Sequence, residues 1–173
     1  MSENVVEGAA PALSVQRPNA FDTIFFGGFA IGILDMLFAF TFYWLILGIK
    51  PLQIFQSVAA GVFGRTEAYA GGVKTFVLGL FLHFVVATCI ATVYYLVSSR
   101  LPLLIAHPVP SGLIYGIIAC LGMKFIVVPL SAIGRRPVPR PSIFITELIG
   151  HAFLVGLPVA LVASRSAKLK KYS

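Results

Sequence analysis

Four apolar runs, each long enough to cross a hydrocarbon core, dominate the chain, at about 24–48, 75–98, 111–133 and 143–163. A bilayer core takes ~20 consecutive apolar residues as a helix. Lipid offers no water to loose N–H and C=O groups, so a spanning segment must be a helix or part of a closed barrel. These runs are continuous rather than alternating, and 173 residues are too few for an outer-membrane barrel of this pattern. Charge agrees: 11% of residues are charged, against about 25% in soluble domains. The sequence therefore predicts an all-α, single-domain integral membrane four-helix bundle over residues 23–165. Residues 1–22 read as a flexible N-terminal tail and 166–173 as a basic C-terminal tail.

The first twenty residues contain Glu3, Glu7, Pro11, Arg17 and Pro18 and no apolar core, so they are not expected to act as a signal peptide. The longest connection, Lys50 to Gly72, holds "PLQIFQSVAAGVFG". Its interleaved Gln53, Gln56 and Ser57 predict a segment lying flat at the membrane interface between the first two spans, with a re-entrant element as the alternative. "GRRPVPRP" reads as a stiff basic turn, Pro158 as a kink in the fourth span, and Pro129 as a bend or end of the third. Cys89 and Cys120 lie in apolar runs without a CxxC and read as buried structural thiols.

The net charge of +7 comes from residues flanking the runs, as on membrane helices, and no nucleic-acid module accompanies it. Nucleic acid is excluded as a partner; the lipid bilayer is the expected one. Basic residues divide six against six between the two sides, so the positive-inside rule ties. The cluster "RSAKLKK" tips both termini toward the cytoplasm.

Each span carries an ionisable residue: Asp35, His83, Lys124, then Glu147 with His151. Such groups are costly in lipid and face partners or cavities. At 1.5 Å per residue, His83, Lys124 and His151 fall at one level, Asp35 within a turn of it, and Glu147 nearer the surface. Gly28, Gly32 and Asp35 share a helical face, as do Gly79 and His83, and Gly112, Gly116 and Lys124. Small residues at this spacing are helix-packing positions, so the ionisable groups point inward. "GFAIG" is echoed by "GLIYG", and "FVLGLFLH" by "FITELIGH", which predicts two duplicated helical hairpins with equivalent histidines.

Several roles are open to this cluster. Asp35 and Lys124 can form a plain buried ion pair that fixes which helices meet. Asp35, His83, Glu147 and His151 can form a proton or ion relay. His83 and His151 can ligate a haem b across the bundle. A metal on His83, His151 and Asp35 is opposed by Lys124, so no metal or other cofactor is expected. No GxSxG, P-loop, HExxH or dinucleotide pattern occurs, so no catalytic residue is assigned. Phe42, Tyr43, Trp44, Tyr94 and Tyr95, near span ends, read as interfacial belts.

"GGFAIGILDMLFAFTFYW", "IFQSVAAGVFG", "GLFLHF" and "VVPLSA" together resemble small four-helix bacterial inner-membrane proteins, over most of the chain from about residue 26 to 161. The resemblance implies a multi-pass protein of the bacterial cytoplasmic membrane and carries no activity. The leading expectation is a non-enzymatic structural or accessory subunit, in a homo-oligomer or larger membrane complex, with a buried polar cluster. The alternatives are a small proton or ion conductor or transporter, and a haem b redox subunit.

Overall fold

The computed structural model describes residues 17–135 and 139–169, with side chains through Ala167. The tail through residue 16, residues 136–138 of the proline-rich turn, and Lys170 and Lys171 of the basic tail lie outside the described residues. What is described is helical, with no strand. The long helices are α1 (Asp22–Ile46), α4 (Gly72–Ser98), α6 (Pro108–Leu130) and α7 (Pro141–Ala167). Shorter ones are α2 (Pro51–Phe63), α3 (Arg65–Ala70) and α5 (Pro102–Ala106). All four long helices are apolar enough to cross a membrane. Phe29, Val77, Phe81, Ile118, Ile126 and Phe153 are among the large apolar side chains they turn outward, as lipid-facing surfaces require.

Prolines and glycines set the boundaries. Pro51, Pro102, Pro108 and Pro141 each stand in the first turn of α2, α5, α6 and α7, where the missing N–H is not needed. Gly48 (φ +71°) and Gly64 (φ +77°) follow α1 and α2, in the left-handed region that glycine enters without strain. The termini differ from expectation. Helix begins at Ala20 and runs through Leu169, because Ser164, Ser166 and Ala167 are buried and Ser166 Oγ accepts from the Asn19 N–H at 3.1 Å.

Pro158 does not end α7. A proline ring collides with the carbonyl four residues earlier. For Pro158 and Pro129 those residues are Leu154 and Phe125, which lie mid-way through widened, π-type turns at Ala152–Gly156 and Met123–Val127. The widened turn makes room for the ring. α6 then stops one residue past Pro129.

α7 is the central helix and touches α1, α4 and α6. The core lies at one end of the molecule: Ile31 from α1, Ala87, Ala91 and Tyr94 from α4, Ile105 from α5, and Val155, Val159, Ala160 and Ala163 from α7. Glycine makes the approach possible. A Cβ on Gly28 would lie 3.0 Å from Thr88 Cα, and one on Gly112 would lie 2.8 Å from the Gly156 oxygen. A Cβ on Gly32 would strike the Phe84 ring, and one on Gly116 would strike the His151 carbonyl and Ala152. The two antiparallel pairs therefore share one register. In each, a glycine faces the residue after the histidine, and a second glycine, four residues earlier, faces the fifth residue after it. In lipid, dispersion contacts at such interfaces replace the hydrophobic effect as the attractive term, at about 0.1–0.2 kcal/mol per atom pair.

The segment between the first two long helices is itself a helix, and it packs against α4. α2 places the Phe55 backbone against Gly79, where a Cβ would overlap the Phe55 carbonyl. Gly79 is seven residues, about 10 Å, along α4 from Gly72. Buried Gln56 donates to the Gly72 carbonyl at 3.1 Å, and Thr75 Oγ1 donates to the Ala68 carbonyl at 2.6 Å. The Ala132 N–H donates to the Gly61 carbonyl at 3.0 Å, tying α2 to the end of α6. These partners hold Gln56 within the protein, while Gln53 stays exposed and Ser57 Oγ donates to the Ile54 carbonyl of its own helix.

Candidate functional site

All five ionisable residues singled out in the sequence line one cavity of about 980 Å³. Its lining reaches the end where the α1–α2 and α6–α7 connections lie, where it includes Ile49, Tyr69, Arg135 and Pro139. Counted inward from the helix ends, Tyr43 is about 5 Å deep, Lys124 and Glu147 about 9 Å, and Asp35, His83 and His151 about 15–16 Å. No residue beyond Asp35, His83, Cys120 and His151 contributes to the wall. These four form a floor near mid-depth, and the glycine-mediated contacts close the molecule behind them.

The upper tier is a satisfied pair. Lys124 Nζ donates to Glu147 Oε2 and Tyr43 OH donates to Glu147 Oε1. The expected pairing of Asp35 with Lys124 is not formed: Asp35 lies about a turn deeper, and Glu147 shares the level of Lys124. Widened turns help bring this tier together. Tyr43 lies within Phe40–Ile46 and Lys124 within Met123–Val127. Each extra residue in a turn rotates the remainder of the helix by about 100°.

The lower tier is less complete. His83 Nε2 lies 2.9 Å from the Gly32 carbonyl oxygen. A carbonyl only accepts, so Nε2 carries the hydrogen. Nδ1 faces Asp35 Oδ2 at 4.0 Å, too far for a hydrogen bond. Among the described residues Asp35 accepts no side-chain hydrogen bond. On α7, His151 Nδ1 lies 2.7 Å from the Glu147 carbonyl, which leaves Nε2 as its outer nitrogen. His151 thus has Nε2 to offer a ligand, whereas His83 commits Nε2 to the Gly32 carbonyl and has only Nδ1, the nitrogen facing Asp35, to offer one. Among the described residues no three His, Cys, Asp or Glu side chains converge as a metal centre would require.

Sequence reasoning missed Tyr43, which it placed in an interfacial belt. The available signal was its i+8 spacing from Asp35, two helical turns along roughly the same face. Phe42 and Tyr94 also leave the belt: they are 7% and 0% exposed. Tyr94 stands three residues after Ala91 and seven after Ala87, on the small-residue stripe itself. Cys120 is buried in the cavity floor, whereas Cys89 is exposed on the outer surface. Gly28, Gly32, Gly79, Gly112 and Gly116 all stand at close contacts between helices.

Comparison with protein-family models, with curated proteins and with solved structures gives no match. The cavity holds the Lys124–Glu147 ion pair in its upper tier and, in its lower tier, the Asp35 carboxylate, which accepts no side-chain hydrogen bond among the described residues.

Proposed function

We propose that the chain is a four-helix-bundle protein of a bacterial inner membrane that takes a small solute from one side of the bilayer into this cavity, as a binding or carrier subunit. The observation that carries the proposal is the convergence of Asp35, His83, Lys124, Glu147 and His151 on one open cavity. A cluster serving only to hold helices in register is expected to be filled and mutually paired. This one encloses space within the range of small-molecule sites, about 300–1,000 Å³. A floor near mid-depth matches the placement of carrier sites between repeats.

A duplicated helical hairpin fits the same reading: Gly28 and Gly32 meet α4, and Gly112 and Gly116 meet α7, in the same register relative to His83 and His151. Transfer across the bilayer requires the tight end to open, either within one copy or within a homo-oligomer or larger membrane complex. A proton or ion conductor is the second reading, favoured by the two tiers of ionisable groups.

Cysteine access tests the proposal. With Cys89 and Cys120 replaced by alanine, Ala39→Cys on the cavity wall is treated with a membrane-impermeant thiol reagent in vesicles of each orientation. Labelling from one side only is expected, with outward-facing Val77→Cys unlabelled. Labelling from neither side rejects the cavity, and labelling from both sides favours the conductor.

A further inference from the structure

The cavity floor has an unusual charge balance. His83 holds its only neutral-state hydrogen on Nε2, toward the Gly32 carbonyl. In neutral imidazole the other nitrogen then presents a lone pair. That lone pair faces the Asp35 carboxylate at 4.0 Å, so in this form two acceptors face each other, an arrangement that a positive charge stabilises. A proton does so, by making His83 imidazolium or Asp35 a neutral acid, and a ligand cation seated beside the carboxylate does so equally well.

The titratable groups around this point are His83 from α4, Cys120 and Lys124 from α6, Glu147 and His151 from α7, and Tyr43 from the same helix as Asp35. Lys124 does not supply that charge, because its ammonium is held by Glu147, which Tyr43 also engages. The wall that α2 adds brings the neutral Gln53. Among the described residues, Asp35, at the floor, is thus the acidic side chain of the cavity without a hydrogen-bond partner.

We propose that the Asp35–His83 pair binds a single positive charge, either a proton or the cationic centre of an organic monocation with an apolar body, and that the two exclude each other. This rests on the one-sided cavity argued above. The rest of the wall selects the ligand class. Phe38 and Phe55 flank the floor, and Phe55 meets the His83 ring edge-on at 5.7 Å. Aromatic faces attract cations, and Met36, Ile54, Val58 and Met123 complete an apolar surround. A hard divalent ion takes six or more oxygens, which the floor lacks. An anion would meet the Asp35 carboxylate, while the Lys124 ammonium is already held by Glu147. When the organic cation enters a protonated site, the displaced proton leaves through the cavity water, so one charge replaces one charge. A carrier built on this site exchanges a proton for a cation.

The test is binding of tetraphenylphosphonium to the detergent-purified full chain, with tetraphenylborate as an anion of the same shape. Saturable binding of the phosphonium alone is expected, with about one proton released per cation on the acid side. Apparent Kd should rise by up to about tenfold per pH unit on acidification. Asp35→Asn should weaken binding at least tenfold, and Asp35→Glu should retain it. Phosphonium binding with no proton release at any pH between about 5 and 9, or equal binding of the borate, overturns the proposal. Both readings use the native chain and stand even where Asp35→Asn does not fold. If neither ion binds while Ala39→Cys is still labelled from one side, the cation assignment fails and the cavity stands. If labelling fails too, both fail.

Discussion

The two ends of this molecule are built from the same four helices and have opposite properties. At one end, Gly28, Gly112, Gly116 and Gly156 meet neighbouring backbone or Cβ atoms almost without a gap, and Ala91, Val159, Ala160 and Ala163 are fully buried. At the other, the helices part around about 980 Å³, and a separate short helix, α2, props the space open from Gly79. Among the described residues, Asp35, His83, Lys124, Glu147 and His151 all lie in the open end, whereas the polar side chains buried in the tight core are neutral, Tyr94 among them. In lipid, helices gain little from burying apolar surface against one another, and close approach supplies the attraction. Adhesion is thus concentrated where the side chains are smallest. The open end is free to hold water and charge because the tight end holds the fold.

The largest effect should come from breaking the tight end. Gly116→Leu and Gly156→Leu each drive a side chain into opposing backbone, which cannot yield as a flexible side chain can. No monodisperse folded protein is expected on gel filtration. Gly116→Ala should still cost about 1–3 kcal/mol or more, the range for overpacking. Wild-type thermal stability in Gly116→Leu would remove the distinction between the two ends.

Next in size is the ion pair of the open end. Lys124→Met leaves Glu147 with Tyr43 alone, and Glu147→Gln leaves Lys124 without a counter-charge. Breaking a fully buried pair costs ~3–5 kcal/mol. These side chains are 22% and 11% exposed, to the cavity, and water there offsets part of the loss, so about 1–3 kcal/mol is expected for either single change. The double variant Lys124→Met/Glu147→Gln should recover much of it. A thermal-melt double-mutant cycle with no coupling would show that the pair contributes nothing and that solvent already neutralises both groups.

The division between the ends was partly legible in the sequence. Run length fixed the four long helices because lipid leaves the backbone no alternative. The glycine stripes at Gly28/Gly32 and Gly112/Gly116 marked the close contacts, since spacing along a helix is a reliable guide to face. The same logic brought all five ionisable residues to one place. Their partners were not legible. Depth counted from uncertain helix ends carries an error of about a turn, enough to exchange Glu147 for Asp35 opposite Lys124. Widened turns before Pro129 and Pro158 rotate side chains off the regular helical phase, which a 3.6-residue count does not anticipate. The contacts of α2 were not legible either: Gln56 looked interfacial, and it finds its partners within the protein. Tyr43 was hidden by position, because an aromatic near a span end resembles a belt residue whether or not it turns inward.

The smallest effect is also the cleanest contrast, because one substitution can be made at both ends. Ala91 is 0% exposed in the tight core, and Ala39 lines the cavity. Ala91→Leu adds three carbons where no volume exists, and should lower stability by about 1–3 kcal/mol. Ala39→Leu adds the same three carbons to open space, so its thermal stability should stay within about 0.5 kcal/mol of wild type. It should nevertheless narrow the route to Asp35 and weaken phosphonium binding, a loss of function without a loss of fold. An Ala39→Leu protein as destabilised as Ala91→Leu would mean that the cavity closes around that position in the folded protein, and the open end would then be another tight interface.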